Sequence, residues 1–183
     1  DMMCTTNHRH LLQTRRGKDI ETVGADFKSD HKFFNAGVYT PVDEAPNKLQ
    51  QLVCAIQADA HYTGKSFDFS FTKKRKYIRL LEILKGSNYK DYSNATRYRV
   101  YYTPSQEEWL QIHKYLEVPT KTFKWSILEH FGETFFKELP LWDGLSTREF
   151  GERYCSTNQK NVDIIQAFCS LRGHRSLKSP DLY

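Results

Sequence analysis

Two apolar helical segments, each ending on an aspartate and each followed by a similar series of elements, constrain this chain more than any other feature. Leu49, Leu52, Val53 and Ile56, with the small Ala55 and Ala58, predict a compact helix from Asn47 that stops near Asp59. A second apolar helix ends in Trp142-Asp143-Gly144. Thr72 and Gly86 follow Asp59, and Thr157 and Gly173 follow Asp143, at nearly the same offsets. Self-similarity of this length points to an α+β fold made of a duplicated αββαββα unit with pseudo-twofold symmetry. The two copies are unequal. The first spans residues 47–118; the second, residues 119–183, is shortened and lacks its last hairpin strand and last helix.

Local patterns fill in the units. Thr63-Gly64-Lys65 predicts a turn, and Phe67, Phe69 and Phe71 alternate with Asp68 and Ser70 as in a half-buried strand. Lys74 to Lys85 is an amphipathic helix with Tyr77, Leu80, Leu81 and Leu84 on one side, closed by Gly86. Tyr89 to Tyr92 and Arg97 to Tyr102 predict a hairpin, with Arg97, Arg99 and Tyr101 on one face and Tyr98, Val100 and Tyr102 on the other. Ser105 and Glu108 stand at capping-box spacing at the head of a helix from Glu107 to Leu116. In the second unit, a strand-like Arg153 to Thr157 precedes a helix carrying Val162, Ile164, Ile165, Phe168 and Leu171, closed by Gly173. Residues 1–46 look different. They contain short strands and turns around Arg16-Gly17-Lys18, Ile20 and Val23, then a linker between Pro41 and Pro46.

A chain of 183 residues accommodates one ordinary domain, or one domain with a small appendage, and its aromatic content of 14% supplies bulky core material. A net charge of +5 favours anionic partners, of which nucleic acid is the commonest large one. The four cysteines form no CxxC pair, and Cys54 and Cys169 fall inside apolar helical patterns. Buried thiols in a reducing, cytoplasmic compartment (a nucleoid or a phage-infected cell) are therefore expected, with no membrane association. No apolar run approaches the length of a membrane span. The first residues look like the middle of a strand, so the chain reads as a segment of a longer product.

Leu52-Val53-Cys54-Ala55-Ile56-Gln57-Ala58-Asp59-Ala60 resembles the LAGLIDADG motif of homing endonucleases, with Leu, Ile, Ala and the last Asp in register. Phe136-Lys137-Glu138-Leu139-Pro140-Leu141-Trp142-Asp143-Gly144 keeps the central Leu and the terminal Asp-Gly. The stretch from Lys73 through Leu84, and Asn161-Val162-Asp163-Ile164-Ile165-Gln166, are similar to segments of intein-associated and phage-borne members. The resemblance covers roughly residues 47–176. It implies a saddle-shaped fold whose two motif helices bring Asp59 and Asp143 together as catalytic and metal-binding carboxylates. Mg²⁺ or another divalent cation is the implied cofactor. Double-stranded DNA is the implied partner, cut at a specific site by a monomer with two pseudo-symmetric halves. The strands would lie in the major groove, with Lys65, Asp68, Ser70, Arg97, Arg99 and Tyr101 facing the DNA. Lys73, Lys74, Arg75 and Lys76 would reach phosphates, although cations at a helix N-terminus are locally unfavourable. His61 reads as a strand-surface residue. The sequence departs from the motif at Cys54 and Glu138, where the family has small residues, at Pro140 inside the second helix, and at Ala60.

Thr5-Thr6-Asn7-His8 resembles the Thr-x-x-His element of intein (Hint) splicing domains, in which Thr5 and His8 would act on an upstream peptide bond. The alternatives to an active endonuclease are thus a DNA-binding protein of the same family with weak or absent cleavage, and a fragment of a protein-splicing intein.

Overall fold

The computed structural model describes residues 9–14, 19–23, 32–33, 39–147 and 151–174. Thr5, His8 and the Arg16-Gly17-Lys18 turn lie outside the described residues. Contacts divide the chain into two compact units, with a boundary after Tyr39 and a second within the last helix, after Phe168.

The smaller unit is a three-stranded antiparallel sheet of β1 (Arg9–Gln13), β2 (Asp19–Val23) and β3 (Lys32–Phe33), in the order β2-β1-β3. The end of the last helix belongs to this unit. There the Tyr39 N–H donates to the Leu171 carbonyl at 2.7 Å, and the Arg172 guanidinium lies 4.7 Å from the Tyr39 ring centre.

The larger unit is mixed α+β. Helix α1 (Asn47–Asp59) runs directly into β4 (Ala60–Tyr62), which pairs antiparallel with β5 (Phe67–Phe71). The intervening turn contains Gly64 at φ +90°, a backbone conformation that favours glycine. Helix α2 (Lys74–Ile83) follows, then the hairpin of β6 (Tyr89–Asp91) and β7 (Tyr98–Tyr102), then α3 (Gln106–Tyr115). The four strands form one antiparallel sheet in the order β4-β5-β7-β6. Phe67, Phe69, Phe71, Val100 and Tyr102 are buried on one face of it, while Ser70, Arg97 and Arg99 are exposed on the other. The period of two read from the sequence therefore sets which face meets the helices. The capping box is present: Ser105 Oγ accepts from the Glu108 N–H at 3.2 Å, and Glu108 Oε2 accepts from the Ser105 N–H at 2.8 Å.

After α3 come three elements the periodicity does not announce. Strands β8 (Leu116–Glu117) and β9 (Thr122–Phe123) form a small hairpin, and α4 (Ile127–His130) is one turn long. Such pieces are too short to show a period. Helix α5 (Glu133–Asp143) then leads straight into the hairpin of β10 (Gly144–Thr147) and β11 (Gly151–Tyr154), and α6 (Gln159–Leu171) follows. The strand expected over Arg153 to Thr157 thus lies earlier, and it pairs with a strand that begins at the residue after Asp143. Cys54 and Cys169 are buried, as their helical positions predict. Pro140 lies within α5 without ending it. No helix among the described residues is long and apolar enough to cross a membrane.

Helices α1 and α5 pack side by side with both N-termini at one end and both C-termini at the other. Gln50, fully buried in the first turn of α1, joins the N-terminal ends. Its Oε1 accepts from the backbone N–H groups of Gly132 (3.0 Å) and Phe135 (3.1 Å), and its Nε2 donates to the Ala45 carbonyl (2.7 Å) and Glu44 Oε1 (3.0 Å). One side chain thereby satisfies two of the donors that a helix start leaves without partners. At the level of Cys54 the helices approach closely: its Sγ lies 4.0 Å from the Phe135 carbonyl oxygen. Glu138, the other departure from a small residue, is also buried. Arg79 of α2 meets it with two hydrogen bonds (3.0 and 2.6 Å), and Trp142 Nε1 donates to it at 2.9 Å.

Candidate metal centre at two helix ends

Parallel packing carries an electrostatic cost, because the partial negative charges of two helix C-termini fall at the same place. Asp59 and Asp143 add two carboxylates there. Cations offset this concentration of charge. Lys76 Nζ lies 2.6 Å from Asp59 Oδ2 and 3.8 Å from Asp143 Oδ1, so one ammonium spans both carboxylates. Arg75 Nη1 donates to the Leu141 carbonyl at 2.6 Å, near the end of α5. Lys121 Nζ donates to the Ala58 carbonyl at 3.3 Å, near the end of α1.

Burial and the neighbouring Asp59 charge push the Asp143 carboxyl above the usual aspartate range, while Lys76 and Lys121 act in the opposite sense. The end of α5 is further tied down by the Cys155 N–H, which donates to the Asp143 carbonyl at 3.0 Å. Beside it, Tyr154 Oη donates to Gln57 Oε1 of α1 at 3.1 Å, and burial pushes the Tyr154 phenol up. Gly144 is needed by close approach. A Cβ built there would lie 2.3 Å from Pro140 Cα and 2.6 Å from the Pro140 carbonyl oxygen. Ala60, at the matching position after Asp59, carries its Cβ within the buried sheet face.

The structure brings together two of the expected site residues, Asp59 and Asp143. It also brings in Lys76, which the sequence groups with Lys73, Lys74 and Arg75 as a phosphate-facing run. Successive residues of a helix rotate by about 100°, so a continuous cationic run cannot all face one way. Lys73 and Lys74 are exposed, whereas Lys76 turns inward and its side chain is 11% exposed. Arg75, itself exposed, and the half-buried Arg79 both reach α5, through the Leu141 carbonyl and Glu138. On the open face of the sheet, Arg99 forms a two-pronged pair with Asp68 (3.0 and 2.6 Å), and Arg97 Nε donates to Ser70 Oγ at 2.7 Å. Register places His61, Asp68, Tyr101 and Lys90 in one row across all four strands. Lys65 is exposed in the turn between β4 and β5, and His61 is a strand-surface residue as expected. Tyr92, Asn94, Arg97, Arg99 and Tyr101 line a shallow concavity on this face.

Sequence reasoning missed Lys121, Gln57, Tyr154 and Asn161. Lys121 adopts a left-handed backbone conformation at φ +52°, uncommon for a residue with a side chain. Buried Asn161 of α6 holds that hairpin by accepting from the Phe123 N–H (2.7 Å) and donating to the Lys121 carbonyl (3.1 Å). Pro119-Thr120 is the turn signal that marks this bend in the sequence.

Among the described residues, no three His, Cys, Asp or Glu side chains cluster as a ready-made metal cage. The donors at the helix ends are all oxygens, two of them from carboxylates, and an ammonium already stands between them. Hard divalent cations prefer such donors, and the smaller of them complete their shell with water and substrate oxygens. The residues present fit such an ion in place of the ammonium.

No known family model matches the chain. It is similar to ribonucleoside-diphosphate reductase subunit beta of Aquifex aeolicus (strain VF5), at 28% identity in an alignment 159 residues long that covers 72% of this chain and 21% of that protein. The chain thus spans about one fifth of the length of that curated relative. Among solved structures it is similar to the homing endonuclease I-WcaI bound to its DNA recognition sequence. The TM-score is 0.48 and the identity 11%, covering 72% of this chain and 68% of that one. Neither likeness assigns the chain to a family.

Proposed function

We propose that this chain is a site-specific homing endonuclease that hydrolyses phosphodiester bonds of double-stranded DNA with divalent metal ions. The observation that carries the reading is the convergence of Asp59 and Asp143 at the ends of two parallel helices, under one shared cation. The motif resemblance around both aspartates supports it, as does the basic, polar face of the four-stranded sheet. The two αββα series, α1-β4-β5-α2 and α5-β10-β11-α6, support an origin by duplication.

Asp59 and Asp143 would hold the metal, with the ends of α1 and α5 adding carbonyl potential. A bound divalent cation would supply an activated water and neutralise charge on the scissile phosphate and its leaving oxygen. The protein's own groups would do the rest. Lys121 would place positive charge beside the carboxylates. Lys73, Lys74 and Arg75 would attract phosphates, and Lys65, Asp68, Ser70, Arg97, Arg99 and Tyr101 would present donors and acceptors to base edges.

The test is cleavage of a supercoiled plasmid library with Mg²⁺, by the native chain and by Asp59→Asn and Asp143→Asn. Metal-dependent cutting that both substitutions abolish, with DNA binding retained, is the expected result. Tight binding without cutting by the native chain would instead establish a DNA-binding protein. A second reading, a fragment of a protein-splicing intein, rests on Thr5 and His8. Mass spectrometry of the full host polypeptide, searched for an excised segment and a ligated product, tests that reading.

A further inference from the structure

We propose that Lys76 is the resident cation of the acidic pair and competes with divalent ions for it, so that it sets the metal affinity of the site. The inference rests on reading Asp59 and Asp143 as a metal site. Lys76 Nζ takes one oxygen of Asp59 in a charge-assisted hydrogen bond and sits at ion-pair distance from Asp143. Its side chain is shielded from water, and the helix that carries it is fixed against α5 at two other points, through Arg75 to the Leu141 carbonyl and Arg79 to Glu138. The ammonium therefore has little freedom to retreat while keeping solvation. A metal ion binds carboxylate oxygens at roughly 2.0–2.6 Å. On the oxygen that Lys76 holds, it would sit within a few ångströms of a positive charge in a poorly solvated pocket, where the repulsion is far above thermal energy. Metal entry thus requires Lys76 to give up Asp59. The exposed Lys74, two residues before Lys76 on the same helix, makes no such demand.

The test is Mn²⁺ binding to the full chain, read from the paramagnetic resonance signal of free Mn²⁺, for the native protein, Lys76→Met and Lys76→Gln. Both variants remove the charge, and Gln preserves a hydrogen-bond donor if Met disturbs the fold; melting curves verify that each is folded. Binding roughly tenfold tighter in either folded variant is expected, about the worth of one charge-assisted hydrogen bond. Lys74→Met should change it less than about twofold, as an exposed and screened charge does. Equal or weaker binding in both folded Lys76 variants overturns the inference. If the native chain still cuts DNA in that case, the nuclease reading survives on its own. Tighter Mn²⁺ binding without cleavage by any variant upholds the role of Lys76 and removes the nuclease reading. Absence of Mn²⁺ binding in every folded variant overturns the inference, and cleavage or its absence in the native chain then decides the nuclease reading separately.

Discussion

Arg79→Ala isolates the energetics of the buried cluster behind the site. Glu138 is 3% exposed and has three hydrogen bonds, two from Arg79 and one from Trp142. Removing Arg79 leaves a carboxylate buried with a single neutral donor. Breaking one side of a buried pair costs about 3–5 kcal/mol. Arg79 is 30% exposed, so water screens part of the interaction and the low end, roughly 3 kcal/mol, applies. For a chain of this size that corresponds to a drop of roughly 6–12 °C in melting temperature. Glu138 lies on the same helix as Asp143, and Trp142 immediately precedes Asp143, so the loss also loosens the placement of a site carboxylate. The double variant Arg79→Leu/Glu138→Leu removes both charges and should recover most of the loss, apart from about 1 kcal/mol for the Trp142 N–H left without an acceptor. Urea unfolding followed by tryptophan fluorescence, extrapolated linearly, measures the native chain, Arg79→Ala and the double variant. A single variant within about 0.5 kcal/mol of the native chain would refute the reasoning. So would a double variant no more stable than the single.

Asp143→Asn carries a pH signature. Because burial and Asp59 raise the folded-state value of Asp143, its contribution favours the fold below the unfolded aspartate pKa and is lost as pH rises through the folded one. At pH 7 its ionised form is a burden on the fold, so Asn should raise the melting temperature there, with the gain shrinking towards pH 3.5. A drop at pH 7 would show that the Lys76 contact outweighs burial. On the proposed nuclease reading, the substitution expected to abolish cleavage is thus also the one expected to stabilise the protein at pH 7, as where a site holds like charges together. Gly144→Ala should cost roughly 1–3 kcal/mol, because its methyl group meets the Pro140 backbone rather than a side chain that can move; an unchanged urea midpoint would mean that the α5–β10 junction adapts freely.

Much of the architecture was legible because period and composition agree along it. Phe67, Phe69 and Phe71 gave both the strand and its buried face. Leu80 gave the inner side of α2 and the buried Leu84 the residue that follows it, and Ser105 with Glu108 gave the start of α3. Asp59 and Asp143 stood out through the motif resemblance around each and through their equivalent places in the repeat. The rest depends on tertiary placement. Lys76 is indistinguishable from Lys74 in a linear run, and only the docking of α2 against α5 separates an inward cation from an outward one. Glu138 reads as a misfit between two closely packed helices until Arg79, fifty-nine residues away in sequence, is seen to cover it. Lys121 owes its position to a strained turn held by Asn161, a pairing no periodic pattern encodes.

Gln50 has a consequence beyond the donors it satisfies. Together with Lys76 it fastens the two central helices at opposite ends, like two rungs between parallel rails. Sliding one rail by a single residue, about 1.5 Å, would break both backbone contacts at Gln50 and pull Asp143 away from the ammonium shared with Asp59. The gap between the carboxylates is therefore a gauge of fixed setting. On the proposed nuclease reading, a duplex presented to it would have to bring its own phosphates to that spacing by bending or narrowing a groove, so that base steps the protein never touches would enter into the choice of sequence.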